Sequence, residues 1–348
     1  MVMDAHDVAA AIAWQADHAA NNGAPCTALV VRAQLTLLSG ETETGRRLAN
    51  WPGIPLEDAL PLRLAGGFHH LVLSGADTRL SAVYRGEVTD QAEVDALIVD
   101  LARRHDAALL PWLDGPPQTN EAGRSASIMA ALLWLSPRTG PRFEMNELGA
   151  SAGVNTMMER YHYDLGGTEV GPADSPMRIK PEWRGPAPIA APVEITAIQG
   201  CDRAPVNLAD PASALRLKSY VWAEVTERMA RIDAAIRLAS ERAPDLVQMD
   251  AGDWVDQRLA APLEAGTTRV FYHSIVWQYL PPETRARITS AITRAGEAGQ
   301  RLAWIMLETN RETFRHELTV RYWPGGGEPV LLGEAHAHGA WVAWHGAA

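Results

Sequence analysis

From residue 142 onward the chain alternates short apolar runs with helical segments, and this alternation constrains the fold more than any other feature. PRFEMNEL (141–148), PVEITAIQG (192–200), PDLVQMD (244–250), TTRVFYHSIVW (267–277) and RLAWIMLETN (301–310) have the length and side chains of strands. VNTMMERYHY (154–163), SYVWAEVTERMARIDAAIRLASERA (219–243) and PPETRARITSAITRAGEAG (281–299) read as helices between them. A strand that returns to its own sheet through a helix returns in parallel. The spacing therefore predicts an α/β sheet whose first five strands are parallel. ELTVRYW (317–323) and EAHAHGAWVAWH (334–345), around the turn PGGGEP, close the chain as a hairpin, which places an antiparallel strand at one edge.

The first 138 residues read as an all-helical domain. AHDVAAAIAWQADHAAN and CTALVVRAQLTLLSG carry apolar residues three and four apart. PLEDALPLRLAGGFHHLVLSG is interrupted by two glycines. DQAEVDALIVDLARRHDAALLPWL starts with Asp90 and has Glu93 at capping-box spacing. TNEAGRSASIMAALLWL has Thr119 or Asn120 as its cap and runs to Pro137, which stops it. The turn-rich SPRTGPR (136–142) marks the boundary, giving domains 1–138 and 139–348. Residues 163–191, rich in Pro and Gly, form an insertion between the first helix and second strand, either a binding loop or a surface excursion.

The chain of 348 residues has a net charge of -11 and two cysteines, Cys26 and Cys201. The acidic balance argues against nucleic acid and anionic membranes as partners. Two thiols do not build a disulfide framework, and no apolar run reaches membrane-spanning length. The N-terminal stretch carries acids where a signal peptide carries bases. The expectation is a cytoplasmic protein acting on a small molecule.

ELGASAGVN (147–155) supports two chemistries. Gly149 to Gly153 fits G-x-S-x-G, the turn that presents a nucleophilic serine, here Ser151. Asp250 or Asp253 followed by His336 or His338 would keep the acid–base order of a hydrolase. That turn, however, needs several strands before it, and here the preceding residues read as helical. The same stretch also fits a cofactor turn. Glu147 ends the strand, Gly149 allows a sharp turn, and Gly153 allows close helix packing. The backbone of Gly149, Ala150, Ser151 and Gly153 then faces a ligand. Ser151 stands where such turns usually have glycine and is tolerable if its φ stays negative.

Two further acids end successive strands. Asp202 is placed to accept both hydroxyls of a ribose, against the plainer reading of a turn-forming Asp. Asp250 is placed to accept from an adenine amine, with the Ala251 N–H facing a ring nitrogen and Trp254 covering the ring; Asp250 is also a helix cap. His273 and Trp277, after the fourth strand, line the sheet end where ligands sit in open α/β folds.

Residues 142–348 resemble class I S-adenosylmethionine-dependent methyltransferases, with ELGASAG like E/D-x-G-x-G-x-G and MDAGDW like the G-D-A motif. The resemblance implies a Rossmann-like seven-stranded sheet and S-adenosylmethionine as cofactor. Glu147 and the glycine turn would hold its methionine part, Asp202 its ribose, and Asp250 with Trp254 its adenine. Asp202 follows the turn by about 50 residues, where a dinucleotide fold has about 20. TNEAGRSA, ELGASAGVN, YDLGG, PEWRGP and SYVW also make nearly the whole chain similar to the bacterial family called domain of unknown function 2332, which implies the same core and no particular substrate.

In this reading the protein is a methyltransferase for a small molecule, with His273 as base or orienting group. Glu121 and Arg124, with Trp277, are substrate candidates; the plainer reading of the first two is a solvated helix pair. His336-Ala337-His338 lacks a third ligand, so no metal is expected. The alternatives are a serine hydrolase using Ser151 and a non-catalytic cofactor-binding or interaction protein.

Overall fold

The computed structural model describes residues 6–118 and 120–346. Thr119, one of the two candidate caps, lies outside them. The chain forms two compact units, 1–119 with 210–230, and 120–209 with 231–348. The helix Ser125–Thr139 therefore belongs with the sheet, and 210–230 belongs with the N-terminal helices.

The helical unit follows its sequence signals. Asp7 accepts from Ala10 N at 2.9 Å, and Asp90 accepts from Glu93 N at 2.9 Å, each capping the helix it precedes. The glycine-interrupted stretch is one helix, Leu60–Leu73. A Cβ at Gly66 would lie 2.6 Å from the Tyr220 ring, and one at Gly67 3.0 Å from Trp112. The two glycines thus allow those rings to lie on the helix. The helix Pro25–Ala33 has Ala24 at its cap position, which cannot accept. Glu224 supplies the acceptor, taking Thr27 N at 2.7 Å and Thr27 Oγ1 at 2.6 Å. The apolar faces meet around Val31, Leu64, Phe68, Ile98 and Leu101.

In the other unit the strands are β1 (Arg142–Leu148), β2 (His162–Leu165), β3 (Thr168–Val170), β4 (Arg178–Ile179), β5 (Glu182–Arg184), β6 (Glu194–Asp202), β7 (Leu246–Gln248), β8 (Thr267–Ser274), β9 (Leu302–Thr309), β10 (His316–Trp323), β11 (Val330–Ala335) and β12 (Trp341–Trp344). Nine form one sheet in the order β5-β12-β11-β10-β9-β8-β1-β6-β7. β7, β6, β1, β8 and β9 are parallel, as the alternation predicts. Their order leaves β1 in one direction to β6 and β7, then returns to its other side at β8. The crevice beyond the β1 and β8 C-termini is thus a topological switch point, where open α/β sheets bind ligands.

The sheet differs from the expected seven strands and single closing hairpin. β9 to β12 form an antiparallel meander, and β5 pairs in parallel with β12 at the edge. EAHAHGAWVAWH is not one strand: β11 ends at Ala335, and a turn through the two histidines precedes β12. The insertion 163–191 is not a plain loop, since β2, β3 and β4 make a small sheet of their own. VNTMMERYHY is one 3-10 turn, Asn155–Arg160, followed by β2. Its tyrosines explain the change. Tyr161 and Tyr163 are buried, and Tyr163 Oη bonds Ser125 Oγ at 3.0 Å, which an α-helix would not place there. The helix expected over 219–243 begins later, as Thr226–Glu241, and a separate helix, Pro211–Ser219, precedes it. Ser125–Thr139 continues two residues past Pro137. No helix among the described residues is long and apolar enough to cross a membrane.

Candidate functional site

β1 is buried from Phe143 on and delivers Glu147 to the switch point. The turn after it is held by contacts that need glycine. Gly149 has φ 68°, and a Cβ there would lie 2.6 Å from Val276 Cγ1. Gly153 has φ 69° and packs on Pro244 and Leu246. Ser151 departs from the expectation of a negative φ: it sits at φ 53°, in the left-handed region that costs an L-residue roughly 1–2 kcal/mol.

Four of the turn's amides are bonded within the chain. Ala150 N donates to Cys201 O (2.9 Å), Ser151 N to Asp202 Oδ2 (2.8 Å), Gly153 N to Ala150 O (2.7 Å) and Val154 N to Asn120 Oδ1 (2.7 Å). A 3-10 turn follows instead of an α-helix, so the N-terminal dipole is short too. Such a turn is poorly suited to a phosphate. Ser151 Oγ and Asn155 Oδ1 are buried with no hydrogen-bond partner among the described residues. An acceptor left so costs about 1–3 kcal/mol, and both lie next to the acids.

Glu147 is 2% exposed. It meets Tyr272 Oη at 3.4 Å and the Asn155 side chain. Burial pushes its carboxyl up to about 8, against the hydrogen bonds and the charge of Arg124. It lies beneath the turn rather than on its surface. Asp202 ends β6 half-buried, its second oxygen accepting from Ala204 N at 2.9 Å. Two hydrogen bonds leave a carboxylate with further acceptor sites. Asp250 follows β7 and caps the helix Ala251–Ala260 through Gly252 N at 2.8 Å, with Ala251 buried behind it.

Trp254 is not a cover for a ligand ring. It is 1% exposed, in the core with Leu148, Phe271 and Trp304. His273 is likewise sealed. Its Nδ1 meets Glu308 Oε1 at 2.6 Å, and Trp304 Nε1–H donates to its Nε2 at 3.1 Å. Both ring nitrogens are occupied, which leaves His273 no free lone pair; of the two roles offered by the sequence, base or orienting group, the geometry suits the second. Trp277 stacks on it at 5.0 Å and is partly exposed.

Glu121 and Arg124 are buried rather than solvated. Glu121 pairs with Arg231 at 2.9 Å. Arg124 donates to Ala337 O (2.7 Å) and Ser274 O (3.1 Å), tying the turn after β11 to the end of β8. With Asn120 on the β1 turn, NEAGRS straps the C-terminal edge of the sheet. His336 and His338 lie at that edge with ring centroids 5.7 Å apart. Among the described residues no group of three or more His, Cys, Asp or Glu is arranged to hold a metal ion.

Two groups escape the sequence reading. Glu308 ends β9 and accepts from Val276 N at 3.0 Å as well as contacting His273. It has the same signal as Glu147, a carboxylate closing an apolar run. His316 opens β10 beside it, and only the antiparallel return of the chain places it at this edge.

Residues 9–344 match the family described as "uncharacterized protein conserved in bacteria (DUF2332)", and the chain belongs to that family. No curated protein and no solved structure matched the chain.

Proposed function

We propose that this member of the family binds S-adenosylmethionine at the β1–β8 switch point and transfers its methyl group to a small molecule. The observation that carries the reading is the row of carboxylates at adjacent strand ends, Glu147, Asp202 and Asp250, around a turn in which the amides of Ala150, Ser151, Gly153 and Val154 are already bonded within the chain. That edge is rich in acceptors and poor in donors. It suits a ligand that brings hydroxyls, amines and positive charge, and it disfavours the pyrophosphate of a dinucleotide. The two orphaned acceptors, Ser151 Oγ and Asn155 Oδ1, fit the same donor-rich ligand.

In this reading Asp202 holds the ribose diol while keeping Ser151 N, and Asp250 meets the adenine amine from its cap position. Glu147 acts from beneath the turn, favouring an ammonium above it, and the backbone of Gly149 and Ala150 shapes the floor. When bound, the cofactor supplies an activated methyl on a sulfonium. The chain's own work is then to orient the acceptor and exclude water, and positioning of that kind can supply roughly 7–11 kcal/mol.

A hydrolase reading draws on the left-handed backbone of Ser151, which a nucleophile turn would share. Its Oγ has no hydrogen-bond partner among the described residues, so neither His336 nor His338 is bonded to it. A non-catalytic binding protein would keep the same edge and lack turnover. The test is calorimetric titration of ligand-free protein with S-adenosylhomocysteine, repeated on Asp202→Ala and Asp250→Ala. Saturable binding lost in both variants supports the reading. A folded wild type that binds nothing, together with fluorophosphonate labelling of Ser151, would replace it with the hydrolase.

A further inference from the structure

Among the described residues of the sheet unit, the side chains forced into left-handed backbone are Ser151, Ile275 and Phe314, in the connections that follow β1, β8 and β9. That conformation is costly for any residue with a Cβ, and most for a β-branched one. Two of these turns are held by groups on β9 and just past it. Ile275 N donates to Leu307 O at 2.9 Å, and Glu308 holds the next amide. Phe314 N donates to Asn310 O at 2.8 Å. Asn310 Oδ1 takes Glu312 N (2.8 Å) and Thr313 N (3.2 Å), and its Nδ2 reaches Glu317 (2.8 Å).

This bracing puts aromatic rings into solvent. Phe314 is 78% exposed and Tyr279, in the loop after β8, is 72% exposed. The strands these connections leave, β8 and β9, are neighbours in the sheet, and Trp277, also in the loop after β8, is partly exposed. Rings of that size are ordinarily buried. Two residues beyond Phe314, the half-buried His316 has Nδ1 against Thr309 Oγ1 at 3.0 Å. In the tautomer whose Nδ1–H donates to that hydroxyl, Nε2 carries the lone pair. Nε2 has no hydrogen-bond partner among the described residues. Burial first, then the charges of Arg124 and His336, lower the imidazole's affinity for a proton, while Glu308 opposes them. The shift favours the neutral ring, at an edge where His273 has both nitrogens occupied.

We propose that the ends of β8, β9 and β10 form the acceptor subsite, that it takes a small planar aromatic molecule carrying an ionisable O–H or N–H, and that His316 Nε2 receives that proton. This deepens the methyl-transfer reading and rests on it for the reaction. The acceptor's oxygen or nitrogen bonds to the methyl carbon as the carbon–sulfur bond breaks, its electron pair stays on sulfur, and the acceptor's proton goes to His316. Phe314 and Tyr279 supply the faces that hold the ring.

The probe is 4-nitrophenol, whose phenolate is coloured, titrated into the full chain with and without S-adenosylhomocysteine. Wild type should bind it saturably, with extra absorbance to the red of the free phenol as its O–H donates to the neutral imidazole. Phe314→Ala and Tyr279→Ala should each weaken binding about three- to tenfold. His316→Gln should keep binding within about twofold and lose the extra absorbance. All three should bind S-adenosylhomocysteine like wild type. A wild type that binds S-adenosylhomocysteine but not 4-nitrophenol overturns the proposal, as do variants that change neither binding nor absorbance. If 4-nitrophenol binds as described and S-adenosylhomocysteine does not, the subsite stands and the cofactor reading fails.

Discussion

β1 and β8 pair side by side, and twice along that pairing β1 carries a buried carboxylate. Glu144 lies opposite Arg269, and three residues later Glu147 lies opposite Tyr272. Burial would raise the Glu144 carboxyl, but hydrogen bonds from Arg269 and Arg258, each at 2.7 Å, outweigh it and hold the group below the usual range. Glu147 faces a phenol and an amide, and burial pushes it up to about 8. One carboxylate is matched by cations and belongs to the framework. The other is short of positive charge and sits at the edge where an open sheet takes its ligand. The two acids share burial and differ in the charge that compensates it.

The contrast breaks most visibly if the matched pair is removed. Glu144→Ala should leave two guanidiniums without their carboxylate and cost about 3–5 kcal/mol in urea unfolding. The folded fraction should still bind S-adenosylhomocysteine with wild-type affinity; weakened binding would mean the two ends are not separable. Glu308→Ala comes next. His273 Nδ1–H and Val276 N–H lose one shared acceptor, at about 2–3 kcal/mol. Glu308→Gln, which keeps an oxygen there, should restore part of it.

Glu147 sharpens the comparison through pH. Its folded pKa of about 8 lies above the ordinary 4.5, so the folded state holds the extra proton between those values. The stability this contributes is full below pH 4.5 and lost as pH rises to about 8, by at most about 1.4 kcal/mol per unit. Glu147→Gln should flatten that slope in denaturation curves taken across the window, and a slope that persists would assign it to another group. The smallest effect is at Ser151. Ser151→Gly should relieve the left-handed backbone and stabilise the protein by about 1 kcal/mol while retaining cofactor binding. Loss of binding without loss of stability would give the hydroxyl a direct role.

The parallel core and its glycine turn were legible because their signals are local: apolar runs of strand length, turn residues, and acids at run ends. Asp202 and Asp250 end β6 and follow β7 as those signals imply. β2 to β5 were not legible, since strands of two to four residues are too short to show a period. Burial of Trp254, the sealing of His273 and the pairing of Glu121 depend on partners far along the chain, which no local window contains. Glu308 was within reach of the rule that found Glu147. His316 was not, because its position follows from an antiparallel return that the sequence presented as a distant closing hairpin. The Glu224 cap on Pro25–Ala33 joins residues 197 apart and explains why 210–230 folds with the helices.

The most direct measurement is a carbon-13 titration of the Glu147 carboxyl by NMR, assigned with Glu147→Gln, without ligand and with saturating S-adenosylhomocysteine. The account predicts titration near 8 in the free protein and a clear downward shift on binding, as an ammonium supplies the missing charge. A carboxyl that titrates in the ordinary range, or one that ligand leaves unmoved, would contradict the claim that this end of β1 is built for a cationic ligand.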